Sequence, residues 1–175
     1  MAKSVFMYRI AGIGIGIAEE VLEEGPAITG VFFGPEPKGF ARKETPLIKK
    51  TAIQIEEYLA GGRREFTVPV ALRGTEFQMA VWNALKAIPY GETRSYKEIA
   101  AQAGRPKAAR AAGMANHRNP VSIIVPCHRV IGSGGGLTGY GGGLPLKKRL
   151  LDLERGELAG GLSALGRQKY KGKDK

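Results

Sequence analysis

"SYKEIAAQAGRPKAARAAGMANHRN", residues 95–119, is the stretch on which the reading of the fold turns. Ser95 and Glu98 stand at the spacing of a capping box, in which a hydroxyl and a carboxylate each satisfy a backbone N–H left over at a helix start. Gly104 supplies the stop for that short helix, and Pro106 suits the first turn of a second one. Two short helices joined by a tight "GRP" turn form a helix-turn-helix candidate. The second helix is slim, because Ala108, Ala109, Ala111, Ala112, Gly113 and Ala115 leave little bulk while Lys107, Arg110 and Arg118 supply charge. Such a helix fits closely against a neighbouring helix or against the groove wall of a duplex; small residues serve both.

Upstream, "TEFQMAVWNALKAI" (residues 75–88) reads as another helix, with Thr75 as N-cap and Phe77, Val81, Trp82 and Leu85 on one stripe. Before it, "REFTVPVALRG" (residues 64–74) is an extended connector, Pro69 arguing against a central strand. The N-terminal part holds three short apolar or alternating runs, "SVFMYRI", "IGIGIAE" and "AITGVFFG", which predict a three-stranded meander. A helix follows, with Leu47, Ile48, Ala52, Ile55 and Leu59 at helical spacing and Gly61–Gly62 as its stop. Downstream, "VSIIVP" (residues 121–126) predicts a buried extended run, residues 132–143 a glycine-rich loop, and "LPLKKRLLDLERG" (residues 144–156) a last amphipathic helix. The loop lacks the Lys-Ser/Thr ending of a P-loop and the strand-to-helix setting of a dinucleotide fingerprint. The expected class is α/β (α+β): a small three-stranded sheet with a helix, then a helical, winged-helix-like C-terminal domain with a helix-turn-helix. The expected divisions are residues 1–71, residues 72–157 and a basic, disordered tail, residues 158–175.

Charge is unevenly placed. Residues 1–60 carry 7 Lys/Arg against 8 Asp/Glu, whereas residues 61–175 carry 20 against 8. A neutral first third followed by a strongly basic remainder points to a polyanion partner, nucleic acid before membrane. The N-terminus has an apolar stretch broken by Arg9 and three glycines, which fits neither a secretory signal nor a membrane span. With one cysteine and two histidines, no intramolecular disulfide and no Cys/His zinc cluster can form, so an intracellular, reducing, cytoplasmic setting and no metal are expected.

That one cysteine, Cys127, lies in "IVPCHRVIG" (residues 124–132). Buried structural cysteines are common. Here Pro126 fixes the approach of the chain, His128 and Arg129 follow directly, and the glycine-rich loop lies just downstream. A thiol becomes a nucleophile as its thiolate, which needs a base or a positive field. His128 serves as base if the chain turns sharply, and Glu154 on the last helix could orient it. Attack on an acyl carbon gives a thioester that water cleaves; attack on a saturated alkyl carbon gives a thioether that water does not.

"GTEFQMAVWNALKAIPYGETRSYKEIA", "RPKAARAAGMANHRNP", "IVPCHRVIG", "TGYGGGL" and "KKRLLDLE", in that order, closely resemble the methylated-DNA–protein-cysteine methyltransferases, or O6-alkylguanine-DNA alkyltransferases. The resemblance covers roughly residues 72–157. It implies a DNA repair protein that transfers the alkyl group of O6-alkylguanine in duplex DNA to itself, once and irreversibly, without a cofactor. Position by position, it implies that Cys127 is the nucleophile, His128 draws its proton through water, and Glu154 stands behind His128. Asn119 braces the active-site turn, Tyr96 protonates the departing guanine at N3, and Arg110 fills the place of the flipped base. Lys107, Ala109, Ala111, Gly113 and Arg129 would meet DNA, and Pro126, Val130, Tyr140 and Gly141 would line the substrate pocket. Gly141 departs from the family, many of whose members have serine there. A monomer, clustering on DNA at most, is expected. Two rivals are a non-catalytic binder of alkylated DNA, against which the intact "PCHRV" weighs, and a cysteine hydrolase with repeated turnover.

Overall fold

A computed structural model describes residues 1–162 and the backbone of residues 167–169. The chain divides into two compact units, residues 1–71 joined by residues from Gly160 onward, and Leu72–Ala159.

In the first unit, β1 (Lys3–Ile10), β2 (Ile13–Leu22) and β3 (Gly25–Phe32) form an antiparallel meander in register Ile10↔Ile13 and Leu22↔Gly25. The first hairpin turns on two residues, Ala11 at φ 50° and Gly12 at φ 77°, the doubly left-handed geometry that matches strand twist. The three-strand expectation falls short, because the free edge of β1 is covered. β4 (Ala41–Arg42) pairs parallel with it at Ser4 and Val5, and β7 (Arg167–Lys169) pairs antiparallel at Tyr8, Arg9 and Ile10. An edge strand presents unpaired backbone groups, and short pieces of polar chain satisfy them as well as apolar ones do. The tail expected to be disordered therefore supplies a strand at Arg167–Lys169. Residues 163–166 and 170–175 of it lie outside the described residues. On the opposite edge, the connector docks on β3: Ile28 N–H donates to Pro69 O (2.8 Å) and Ala71 N–H to Ile28 O (2.9 Å).

Helix α1 (Pro46–Leu59) packs Ile48, Ala52, Ile55 and Leu59 inward, with Thr51, Gln54 and Tyr58 also buried. Gln54 is satisfied by Thr67, donating to its hydroxyl (2.7 Å) and accepting from its N–H (2.9 Å). Thr45 caps α1 by accepting from Ile48 N–H (3.1 Å) while its hydroxyl donates to the buried carboxylate of Glu19.

In the second unit, α2 (Glu76–Lys86) begins at a capping box of Thr75 and Gln78, and α3 (Tyr96–Gln102) at one of Ser95 and Glu98. Helix α4 (Ala109–His117) starts later than expected, at an N-cap, Ala108, whose side chain has no oxygen to bond. Pro106 and Lys107 thus belong to the turn before α4. Trp82 of α2 donates its indole N–H to Ala115 O (2.9 Å), fixing α4 against α2. A two-stranded parallel ladder joins β5 (Arg94–Ser95) to β6 (Val130–Ile131). Helix α5 (Leu144–Glu154) closes the unit, with Leu146, Leu150, Leu151 and Leu153 buried as its spacing predicts.

Replacing Thr45 by alanine removes the α1 cap and strips Glu19 of a buried donor. We expect a loss of about 1–3 kcal/mol in urea unfolding, with the midpoint lowered and the slope unchanged.

Candidate active site

The β5–β6 ladder sets up the site. It places Tyr96, the residue after β5, beside the segment that follows the single 3-10 turn Cys127–Arg129. Instead of the expected extended run, Val121–Val125 folds into a tight turn, with Val125 N–H donating to Val121 O (2.9 Å). Ile123 sits in the left-handed region at φ 71°, a conformation that costs a β-branched residue of order 1–3 kcal/mol. Asn119 holds it there, its amide donating to Val125 O (2.8 Å) and its oxygen accepting from Val121 N–H (3.0 Å). Asn116, which the sequence did not single out, adds a longer contact to Cys127 O (3.4 Å).

Cys127 is 5 % exposed and is a free thiol. Burial pushes its pKa up, against the hydrogen bonds of Asn119 and Ser122 and the charge of Lys147. The resting group is therefore a neutral thiol.

His128 is wholly buried, and its Nε2 lies 2.8 Å from Glu154 Oε1. A carboxylate only accepts, so Nε2 carries the proton and Nδ1 holds the lone pair: the tautomer of a base. Burial lowers the His128 pKa, with Glu154 opposing, and keeps the ring neutral. Burial alone would raise the pKa of Glu154, yet His128 and Arg129 together hold it well below the usual carboxylate range.

Arg129 corrects an expectation. It does not face DNA: it is 8 % exposed and grips Glu154 with Nε (2.8 and 3.1 Å to the two oxygens) and with its terminal NH2 nitrogen (2.9 Å), donating also to Ile88 O (2.7 Å). A carboxylate buried beside a neutral imidazole needs a cation, and Arg129 lies within reach from the same 3-10 turn. Gly91 N–H completes the set at 3.1 Å from Glu154 Oε2. A Cβ at Gly91 would lie 3.1 Å from the Glu154 carbonyl, and its φ of 81° suits glycine.

An open cavity of about 450 Å³ is lined by Tyr96, Ala109, Arg110, Gly113, His117, Thr138 and Gly139. Tyr96, Ala109, Arg110 and Gly113 were expected at the site; His117, Thr138 and Gly139 were not. The pocket wall differs from expectation. Cys127, Pro126, Val130 and Tyr140 are buried and Gly141 is exposed on its loop, and none of these lines the cavity. Tyr140 instead meets the edge of the His128 ring at 6.4 Å between centroids, and its pKa is raised well above a phenol's, by burial first and then by Cys127 and Glu154. Lys107 and Ala111 are exposed. Met114, overlooked in a helix read for its small residues, is 55 % exposed.

Fold and site together define a protein that keeps one buried thiol, with an imidazole in the same turn and a carboxylate bonded to that imidazole, in the unit that carries a helix-turn-helix. The family profile described as 6-O-methylguanine DNA methyltransferase, DNA binding domain, matches residues 76–156. The methylated-DNA–protein-cysteine methyltransferase of Methanosarcina acetivorans is 60% identical over 106 residues, spanning 61% of this chain and 68% of that protein. The constitutive enzyme of that name from Bacillus subtilis is 46% identical over 144 residues, spanning 77% and 87%. The solved structure of Mycobacterium tuberculosis OGT in complex with DNA superposes with a TM-score of 0.78 at 44% identity, covering 87% of this chain and 93% of that one. The chain belongs to the methylated-DNA–protein-cysteine methyltransferase family.

His128 and Glu154 both have folded pKa values below their ordinary ones. Between the folded and unfolded values the unfolded chain binds protons that the folded chain refuses, so stability is full above about pH 6.5 and is lost on acidification. The melting temperature should fall steadily from pH 7 towards pH 4, and His128→Asn should flatten the upper part of that decline.

Proposed function

We propose that this protein repairs duplex DNA carrying O6-alkylguanine by moving the alkyl group to Cys127 in a single, irreversible turnover. The observation that carries the reading is a buried thiol, Cys127, in the same 3-10 turn as His128, whose Nε2 lies 2.8 Å from the Glu154 carboxylate. Among the described residues, no helix is long and apolar enough to cross a membrane. A lone thiol that must stay reduced suits the inside of a cell, and a monomer suffices, since one chain carries every group the chemistry uses.

The step balances within the protein and its substrate. His128 Nδ1 takes the thiol proton through one water, and the thiolate lone pair forms the S–C bond. The C–O6 bond breaks, its electron pair enters the guanine ring, and N3 takes a proton from the Tyr96 hydroxyl. Imidazolium and phenolate then exchange the proton through water, restoring both. Glu154 stays ionised throughout and stabilises the imidazolium. Because the resting thiol is neutral, deprotonation is coupled to the presence of a substrate rather than standing ready for any electrophile.

The target must leave the stack to reach this site. Arg110 and Ala109 line the cavity on the exposed face of α4, and Gly113, whose added Cβ would come within 3.5 Å of the Tyr96 ring, keeps that wall thin. Arg110 takes the space the flipped base vacates. Cys127 is buried and does not line the cavity, so a local opening around the thiol accompanies entry of the base. The intact cysteine sets the chain apart from non-catalytic binders of the same lesion.

Incubation with methylated duplex should add one methyl per protein by intact mass, and Cys127→Ala should abolish the gain while retaining DNA affinity. Unchanged mass with bound DNA would indicate a binder, and repeated product release a hydrolase. Arg110→Ala should slow transfer from duplex roughly ten- to hundredfold, in line with the few kcal/mol of unpairing that the finger offsets, and leave transfer from free O6-methylguanine base unchanged.

A further inference from the structure

Lys147 takes no part in the bond changes above, yet its side chain is wholly buried. Its Nζ donates to Val130 O (2.6 Å) and Thr138 O (2.8 Å), so a cation on α5 ties the glycine-rich loop to β6. Thr138 in turn donates its hydroxyl to the Tyr96 hydroxyl oxygen (3.0 Å) in the wall of the cavity. The return contact, Tyr96 O–H to Thr138 O, is long at 3.5 Å. Lys147 Nζ also lies 6.0 Å from the centroid of the Tyr96 ring.

We infer that Thr138, anchored by Lys147, is the positioning residue that aims and supports the proton-donating phenol of Tyr96; this rests on the role given to Tyr96 above. A phenol has one proton to give and accepts through its oxygen. Thr138 occupies an accepting position on that oxygen. The nearest carbonyl that could divert the Tyr96 proton is already held by the Lys147 ammonium, and at 3.5 Å it is a poor acceptor. The proton is left to point into the cavity, where N3 of the flipped guanine arrives. Once it is given, the phenolate oxygen keeps the Thr138 hydrogen bond. Lys147 is itself kept buried by these contacts; burial lowers its pKa, with the nearby Cys127 opposing.

Thr138 is exposed, so substitution there leaves packing intact. The test compares Thr138→Val, which removes the hydroxyl at constant shape, with Thr138→Ser, which keeps it. The readouts are the single-turnover transfer rate at saturating methylated duplex and the affinity for that duplex. Thr138→Val should slow transfer about tenfold, a fraction of what a general acid contributes, with duplex affinity within about twofold; Thr138→Ser should restore the rate. In a Tyr96→Phe background, Thr138→Val should slow transfer no further, since the two residues act as one unit. A wild-type rate for Thr138→Val, or full additional slowing in the Tyr96→Phe background, overturns the inference. If Tyr96→Phe itself transfers at the wild-type rate, the role of Tyr96 fails and the inference with it; if Tyr96→Phe is slow and Thr138→Val is not, the inference alone fails.

Discussion

The site depends on one buried carboxylate. Glu154 sits at the end of α5 with its side chain out of water, and an isolated charge there would be untenable. It is stabilised only because two separated pieces of chain converge on it: the 3-10 turn, through His128 and Arg129, and the α2–β5 connection, through the Gly91 backbone. Each partner constrains another. The Arg129 guanidinium keeps Glu154 ionised, the ionised carboxylate fixes the His128 tautomer, and that tautomer leaves a basic nitrogen for the thiol. Removing either cationic or imidazole partner would expose the carboxylate to its full desolvation cost, so this network shapes the fold as well as the chemistry.

Around that network the thiol is kept neutral and hidden. A neutral thiol reacts slowly with stray electrophiles, which matters for a nucleophile consumed by its first reaction. Strain at Ile123, the amide bracing by Asn119 and the anchoring of Val130 O by Lys147 all serve to hold a short, irregular segment that no regular element could hold. On the function proposed above, the chemistry then needs only a base that is oriented in advance and a proton donor at the far side of the leaving group.

The parts of this arrangement that were legible in the sequence are those governed by local rules. The capping box at Ser95 and the N-cap at Thr75 marked helix starts because their partners lie within three residues, and the leucines of α5 marked its buried face by spacing alone. What the sequence hid depends on contacts between distant residues. Arg129 read as a DNA contact because a basic residue beside a nucleophile has two plausible destinations, and only the position of Glu154 in space selects the inward one. Buried lysines are rare, and nothing local marks Lys147 as one; two carbonyls 17 and 9 residues away make it an exception. β4 and β7 are too short and polar to carry a strand pattern, and the β1 edge, not their composition, makes them strands. The cavity wall was half legible, since α4 was identified but the approach of Thr138 to Tyr96 across 42 residues was not.

The most direct test is the protonation of the His128 ring, read from its nitrogen-15 chemical shifts at neutral pH with the chain labelled at histidine. The network predicts a neutral imidazole with the proton on Nε2 and a bare Nδ1. A proton on Nδ1, or a doubly protonated ring, would mean that Glu154 does not set the tautomer, and the account of how Cys127 loses its proton would be wrong.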